Sequence, residues 1–167
     1  MHTEKEIRIR LKSVRYEVEA SLFSSAIDAI EAEEYPFVEN HRDGEPEIIE
    51  INSIGRQSDS EGRIQISYDE TEVTGMDGST TAVSFMREQP KVVSMIREGA
   101  VSTALVFEVG KRHHCVYHTP FLPFEVCVHT LKVENRLLEE GYLDLDYVIE
   151  IRGAQAERTK FRMEILK

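Results

Sequence analysis

Four residues between Arg112 and Thr130, namely His113, Cys115, Cys127 and His129, are of the types that bind soft metals. Thiolate and imidazole both offer lone pairs to zinc, and Cys2His2 is a common zinc composition. They fall in two alternating runs, R-H-H-C-V-Y-H-T and F-E-V-C-V-H-T, joined by the proline-flanked turn Thr119–Pro123. If that turn sets His118 against Phe124, Cys115 faces Cys127 and His113 faces His129 across a hairpin, all on one sheet face. Val116, Phe124, Val126 and Val128 carry the more apolar parity and should face the core, which sends the four ligands outward. The spacing is not that of a zinc finger or ribbon, and cross-strand pairs on one face splay apart. The pattern therefore also fits two unpaired thiols on a covered or dimeric surface, which the spacing favours, or a disulfide, which a reducing compartment disfavours.

Other candidates each have a structural explanation. Arg97 could be a buried cation that binds a ligand, or a strand-end residue whose planar donors tie off loop carbonyls, the commoner use of arginine there. His114 and His118 share the parity of Val116 and read as interior histidines satisfied by hydrogen bonds, since no Ser or Asp stands with them as a triad requires. Asp144 and Asp146 lie on one face of a strand, and alternation makes that face the solvated one. Tyr35, Phe37, Phe121, Leu122 and Phe124 put apolar side chains into loops, which marks an interface, a cavity lid or the plug of an open barrel end.

The elements that must position these residues are almost all strands. Period-2 alternation places strands at Lys5–Glu19, Glu47–Gly55, Gly62–Glu70, Ser79–Arg87, Val92–Arg97, Thr103–Val109, Arg112–Thr119, Phe124–Glu134, Tyr142–Ile151 and Thr159–Leu166. The links are hairpin-length and rich in Gly, Asp and Glu. In the first strand the apolar set changes parity, from Ile7, Ile9 and Leu11 to Val14, Tyr16 and Val18, which predicts a bulge near Ser13. Ser21–Glu34 alone changes to a helical period, with Leu22, Phe23, Ala26, Ile27 and Ile30 on one face and Pro36 beyond its end. That helix and the polar loop after it form an insertion at about residues 20–46, and its apolar face is a candidate cover for the Cys/His surface. Elsewhere Leu143, Leu145, Tyr147, Ile149 and Ile151, then Phe161, Met163 and Ile165, then Ile64, Ile66, Tyr68, Val83, Phe85, Leu105, Phe107 and Val109 point inward. The fold class is all-β: one domain over residues 1–167, a closed antiparallel barrel of about eight to ten strands with one short inserted helix.

Composition narrows the function. The 167 residues carry 31 acidic against 20 basic side chains, a net charge of -11, which repels phosphate backbones and anionic lipid, so neither nucleic acid nor a membrane surface is an expected partner. No apolar run approaches bilayer-spanning length, and Met1–Arg10 lacks a signal-peptide core, so the expected compartment is the cytoplasm, with both cysteines as thiols. No cofactor motif is present and none is expected.

A family likeness rests on R-x-G at Arg97 and Gly99, L-x-F at Leu105 and Phe107, Y-x-T-P at Tyr117, Thr119 and Pro120, the alternating strand ending at Thr130, and G-x-L-x-L-x-Y at Gly141, Leu143, Leu145 and Tyr147. In their order and spacing, over roughly Ile48 to Ile165, the chain resembles the small bacterial YwiB-like family, a domain of unknown function built as a calycin-like β-barrel. It departs from that family at Leu122 and Pro123, where a glycine is usual, and in the insertion. Calycins often hold small apolar molecules inside the barrel, so the resemblance implies a ligand cavity and no catalytic residues. The expected function is non-enzymatic binding of a small, largely apolar ligand, with Arg97, Phe107, Tyr117 and Tyr147 lining or gating a continuous interior cavity. The alternative is a structural or interaction module whose barrel is filled and which acts through a homodimer or partner surface. An enzyme would need convergent titratable groups in a cleft, and alternation sends nearly all carboxylates outward.

Overall fold

The computed structural model describes residues 2–18, 46–74, 76–119, 123–151 and 155–167. They form ten strands: β1 (His2–Val18), β2 (Glu47–Ser60), β3 (Arg63–Asp69), β4 (Ser79–Met86), β5 (Gln89–Gly99), β6 (Thr103–Phe107), β7 (Arg112–Tyr117), β8 (Phe124–Arg136), β9 (Tyr142–Ile151) and β10 (Gln155–Leu166). The helical structure among the described residues is a single 3-10 turn at Glu72–Thr74. The helix expected at Ser21–Glu34 lies outside them, as do Tyr35, Phe37, Phe121 and Leu122. No helix among the described residues is long and apolar enough to cross a membrane.

Strand order in the sheet is β6-β5-β4-β3-β2-β1-β10-β9-β8-β7, with every ladder antiparallel. Sequence neighbours are therefore spatial neighbours throughout, and β1 zips onto β10 to join the chain's two ends. The remaining seam lies between β6 and β7. There Ser102 and His118 exchange two backbone hydrogen bonds of 2.9 Å, and Val109 meets Thr130 in an isolated parallel bridge. The product is the expected all-β antiparallel barrel, ten-stranded and nearly closed.

Alternation fills its interior. Ile9, Ile64, Ile66, Val83, Val93, Leu105, Phe107, Leu143, Leu145 and Met163 are all but inaccessible to water, and each such side chain stabilises the fold by about 1.5–3 kcal/mol relative to exposure. Among the described residues the middle of the barrel is packed with side chains, where the resemblance implies a continuous cavity.

The bulge expected near Ser13 is absent. β1 pairs without a break on both sides, Ser13 meeting Ile49 on β2 and Phe161 on β10. The parity change has another cause. The inward face continues from Leu11 to Ser13 and Arg15 as the strand leaves the dry core, while Val14 and Tyr16 are half-buried on the outer face. Register shifts occur instead at Ser84/Met86 and Thr130/Lys132.

Gly99 ends β5 at φ +127°, paired with Ser79. A Cβ there would strike the Gly78 carbonyl oxygen and come within 2.8 Å of the Ser79 Cα. Gly99→Ala should lower the unfolding free energy by about 2–3 kcal/mol in urea titrations. Gly62→Ala, at φ +85° but with nothing within 4 Å of the new methyl, should cost only about 1 kcal/mol.

Candidate binding site at one barrel end

Followed along any inward face, the side chains change character toward the same end of the barrel. β1 runs from Ile9 and Leu11 to Ser13 and Arg15, β3 from Ile66 to Tyr68 and the following Glu70, β4 from Val83 back to Thr81, and β5 from Met95 to Arg97. Register carries the polar layer round the wall: Tyr68 pairs with Thr81, Thr81 with Arg97, and Arg97 with Thr103 on one side; Arg15 pairs with Thr159, Thr159 with Tyr147, and Tyr147 with Thr130 on the other.

At the floor of this layer Arg97 is 8% exposed and its counterion Glu70 lies deeper still, with its side chain 2% exposed. Arg97 Nε donates to Thr81 Oγ1 at 3.0 Å, and the Thr81 hydroxyl donates to Glu70 Oε1 at 2.6 Å. The Thr74 hydroxyl donates to Glu70 Oε2 at 2.8 Å. Arg97 Nη2 stands 3.6 Å from Glu70 Oε1 and 3.8 Å from Met95 Sδ. The ion pair is thus relayed through a threonine rather than closed directly. Above it lies a room of about 50 Å³, walled by Ser13, Arg15, Tyr68, Glu70, Arg97 and Tyr147 on its polar side and by Leu11, Ile49, Ile51, Met76, Met95 and Phe161 on its apolar side.

Burial, reinforced by neighbouring Tyr117, pushes the Tyr147 phenol up to about 12; burial also raises Tyr68 and Tyr117, against the lowering pull of Arg97. These phenols are neutral at physiological pH and serve as hydrogen-bonding groups rather than as bases.

Of the four residues expected to line or gate a cavity, Arg97 and Tyr147 wall the room, and Tyr117 hydrogen-bonds Arg97. Phe107 is fully buried and backs Tyr147, ring centroids 4.6 Å apart at 49°. Arg15, Glu70 and Thr81 were missed. The signal for them is a run of polar residues at inward parity on several strands, all toward one end.

The Cys/His hairpin adopts a different register from the expected one. Tyr117 pairs with Phe124, so Cys115 meets Val126, His114 meets Cys127, His113 meets Val128 and Arg112 meets His129. A one-residue slip exchanges the faces of a strand. His113 and Cys115 therefore share the inner face of β7 with Tyr117, Cys127 and His129 lie on the outer face of β8, and the zinc set and the disulfide alternative are both split across the sheet. The physical reason is that this register packs the Tyr117 ring and the Cys115 thiol against the core, leaving only Val116, 40% exposed, outside. His114 and His118, expected inside, are exposed. Both cysteines are free, and among the described residues no group of three or more His, Cys, Asp or Glu side chains is placed to hold a metal ion. Burial raises both thiols, keeping them protonated.

His129 is buried, and Arg112 Nε donates to its Nε2 at 3.0 Å. Burial, then Arg112 and His114, push it down to about 4. Because the folded value lies below the unfolded one of about 6.5, the neutral ring is favoured by folding, and stability is lost as pH falls from about 6.5 toward 4. Between pH 7 and pH 5 the protein should lose about 2 kcal/mol more unfolding free energy than its His129→Gln variant, measured by urea denaturation at both pH values.

No curated protein matches the chain. The crystal structure of the ywiB protein from Bacillus subtilis is similar in fold, with a TM-score of 0.65 over 98% of this chain and 94% of that one, at 19% sequence identity. A family profile described as a domain of unknown function, DUF1934, matches residues 38–163, three quarters of the length. This barrel, with its packed middle and polar end, therefore belongs to the DUF1934 family.

Proposed function

We propose that the protein is a non-enzymatic binder that takes a small, largely apolar molecule at the polar end of the barrel rather than through its length. The observation that carries this reading is the room beneath that end, where a buried arginine and neutral phenols face apolar walls from Leu11, Ile49, Ile51 and Met76. Binding sites commonly combine a mostly apolar lining with a few fixed polar groups. At about 50 Å³ the room admits one end of a ligand, since drug-sized molecules need pockets of roughly 300–1,000 Å³. A fragment screen followed by backbone amide NMR tests it: binders should shift the resonances of Ser13, Ile49, Ile51, Met76 and Arg97 together. Shifts confined to other faces would contradict the assignment.

The second reading, an interaction module acting through a dimer or partner surface, is favoured by the filled middle of the barrel and by Ile48 and Ile54, 59% and 60% exposed on the outer face of β2. It predicts a concentration-dependent dimer in sedimentation velocity that Ile54→Lys abolishes, and a monomer at all concentrations would count against it.

A further inference from the structure

We infer that the polar end selects a ligand carrying a single carboxylate, which docks on the Arg97 guanidinium with Arg15 above it; this rests on the binding reading given above. The first ground is an unfinished ion pair. Arg97 is buried and charged, yet its nearest carboxylate is 3.6 Å away, beyond hydrogen-bond length, and both oxygens of that carboxylate already accept from threonine hydroxyls. The other partners of Arg97 are neutral: Thr81 at Nε, the Tyr117 phenol, and the Met95 sulfur 3.8 Å from Nη2, a weak acceptor. A guanidinium withdrawn from water gains most from a planar anion that takes two of its donors at once.

Size is the second ground. At about 50 Å³ the room is far smaller than a pocket for a drug-sized molecule and suits a compact head group such as a carboxylate rather than the body of a ligand. The apolar wall at Ile49, Ile51 and Met76 then receives the rest of the molecule.

The third ground is the charge around the rim. Glu157 stands 3.8 Å from Arg15, and Glu47 is its cross-strand partner. These carboxylates are more exposed than Arg97 and more strongly screened, so they tolerate one negative charge at the floor while opposing a doubly charged head such as a phosphate ester.

The test is an NMR titration of the intact chain with hexanoate, hexanamide and hexyl phosphate, following the Arg97 Nε–H resonance and the amides of Ser13 and Ile49. Hexanoate should bind about tenfold tighter than the isosteric amide, as expected when a charge-assisted hydrogen bond is exchanged for a neutral one. It should also bind tighter than hexyl phosphate. Arg15→Gln, at a half-buried rim position that does not threaten folding, should weaken hexanoate severalfold and hexanamide by a smaller factor, so that the ratio of the two affinities falls. Equal binding of hexanoate and hexanamide would overturn the anion selection while leaving the binding reading intact. Tightest binding by hexyl phosphate would overturn the carboxylate assignment. Failure of all three to bind the folded protein would overturn both readings.

Discussion

Replacing Arg97 by methionine is expected to lower the unfolding free energy by about 3–5 kcal/mol, the usual result of removing one partner of a buried ion pair. The cause is the carboxylate left behind. Glu70 has its side chain 2% exposed and is held by the Thr81 and Thr74 hydroxyls, so its charge stays buried with its counterion gone. Thr81 also loses the donor that orders its hydroxyl at 3.0 Å. Removing both charges removes most of that penalty, because a buried pair replaced by apolar groups of similar volume is often near neutral. Arg97→Met combined with Glu70→Leu should therefore recover more than half of the loss. Urea denaturation of the two single variants and the double variant gives the coupling directly. A single-variant cost below about 1 kcal/mol would mean that the pair is solvated rather than buried.

Phe107→Ala should cost about 3–5 kcal/mol as well, by a different route. The ring is inaccessible to water and tilted against Tyr147, so truncation removes buried area, opens a cavity and ends an aromatic contact that contributes about 0.5–1.5 kcal/mol of the total. Phe107→Leu keeps most of the volume and should cost less than about 1.5 kcal/mol. Because Phe107 backs a residue of the room's wall, the alanine variant should also weaken binding of any ligand seated on Tyr147, whereas a truncation in the opposite half of the core, such as Leu143→Ala, should affect stability alone.

Strand positions were legible because alternation is a local signal. Alternation over Tyr142–Ile151 gives the bounds that the structure shows, and Leu143, Leu145 and Tyr147 point inward as their spacing requires. The β7 faces were not legible, since His-His-Cys-Val-Tyr-His offers one valine on one face against a thiol and a phenol on the other. Local hydrophobicity does not rank those sets, and the choice fell to packing against the rest of the barrel. The parity change in β1 was misread for a related reason. A strand that passes from a dry interior to a polar end looks, in sequence, like a strand that has been bulged.

The candidate site was legible only in part, because the R-x-G of the family likeness and a strand-end position mark Arg97 while nothing local marks its setting. Arg15, Glu70 and Thr81 come together through strand register around the barrel wall, from β1, from the residue beyond β3 and from β4. A reading strand by strand gives the face on which each lies but not its height.

The most direct test of a binding site at this end is native mass spectrometry of gently purified protein beside its Ser13→Trp variant, in which an indole at a half-buried wall position fills the room. The account predicts extra mass on the unaltered protein that leaves on denaturation and is missing from the variant. A bare chain in both samples, or the same extra mass on both, would contradict it.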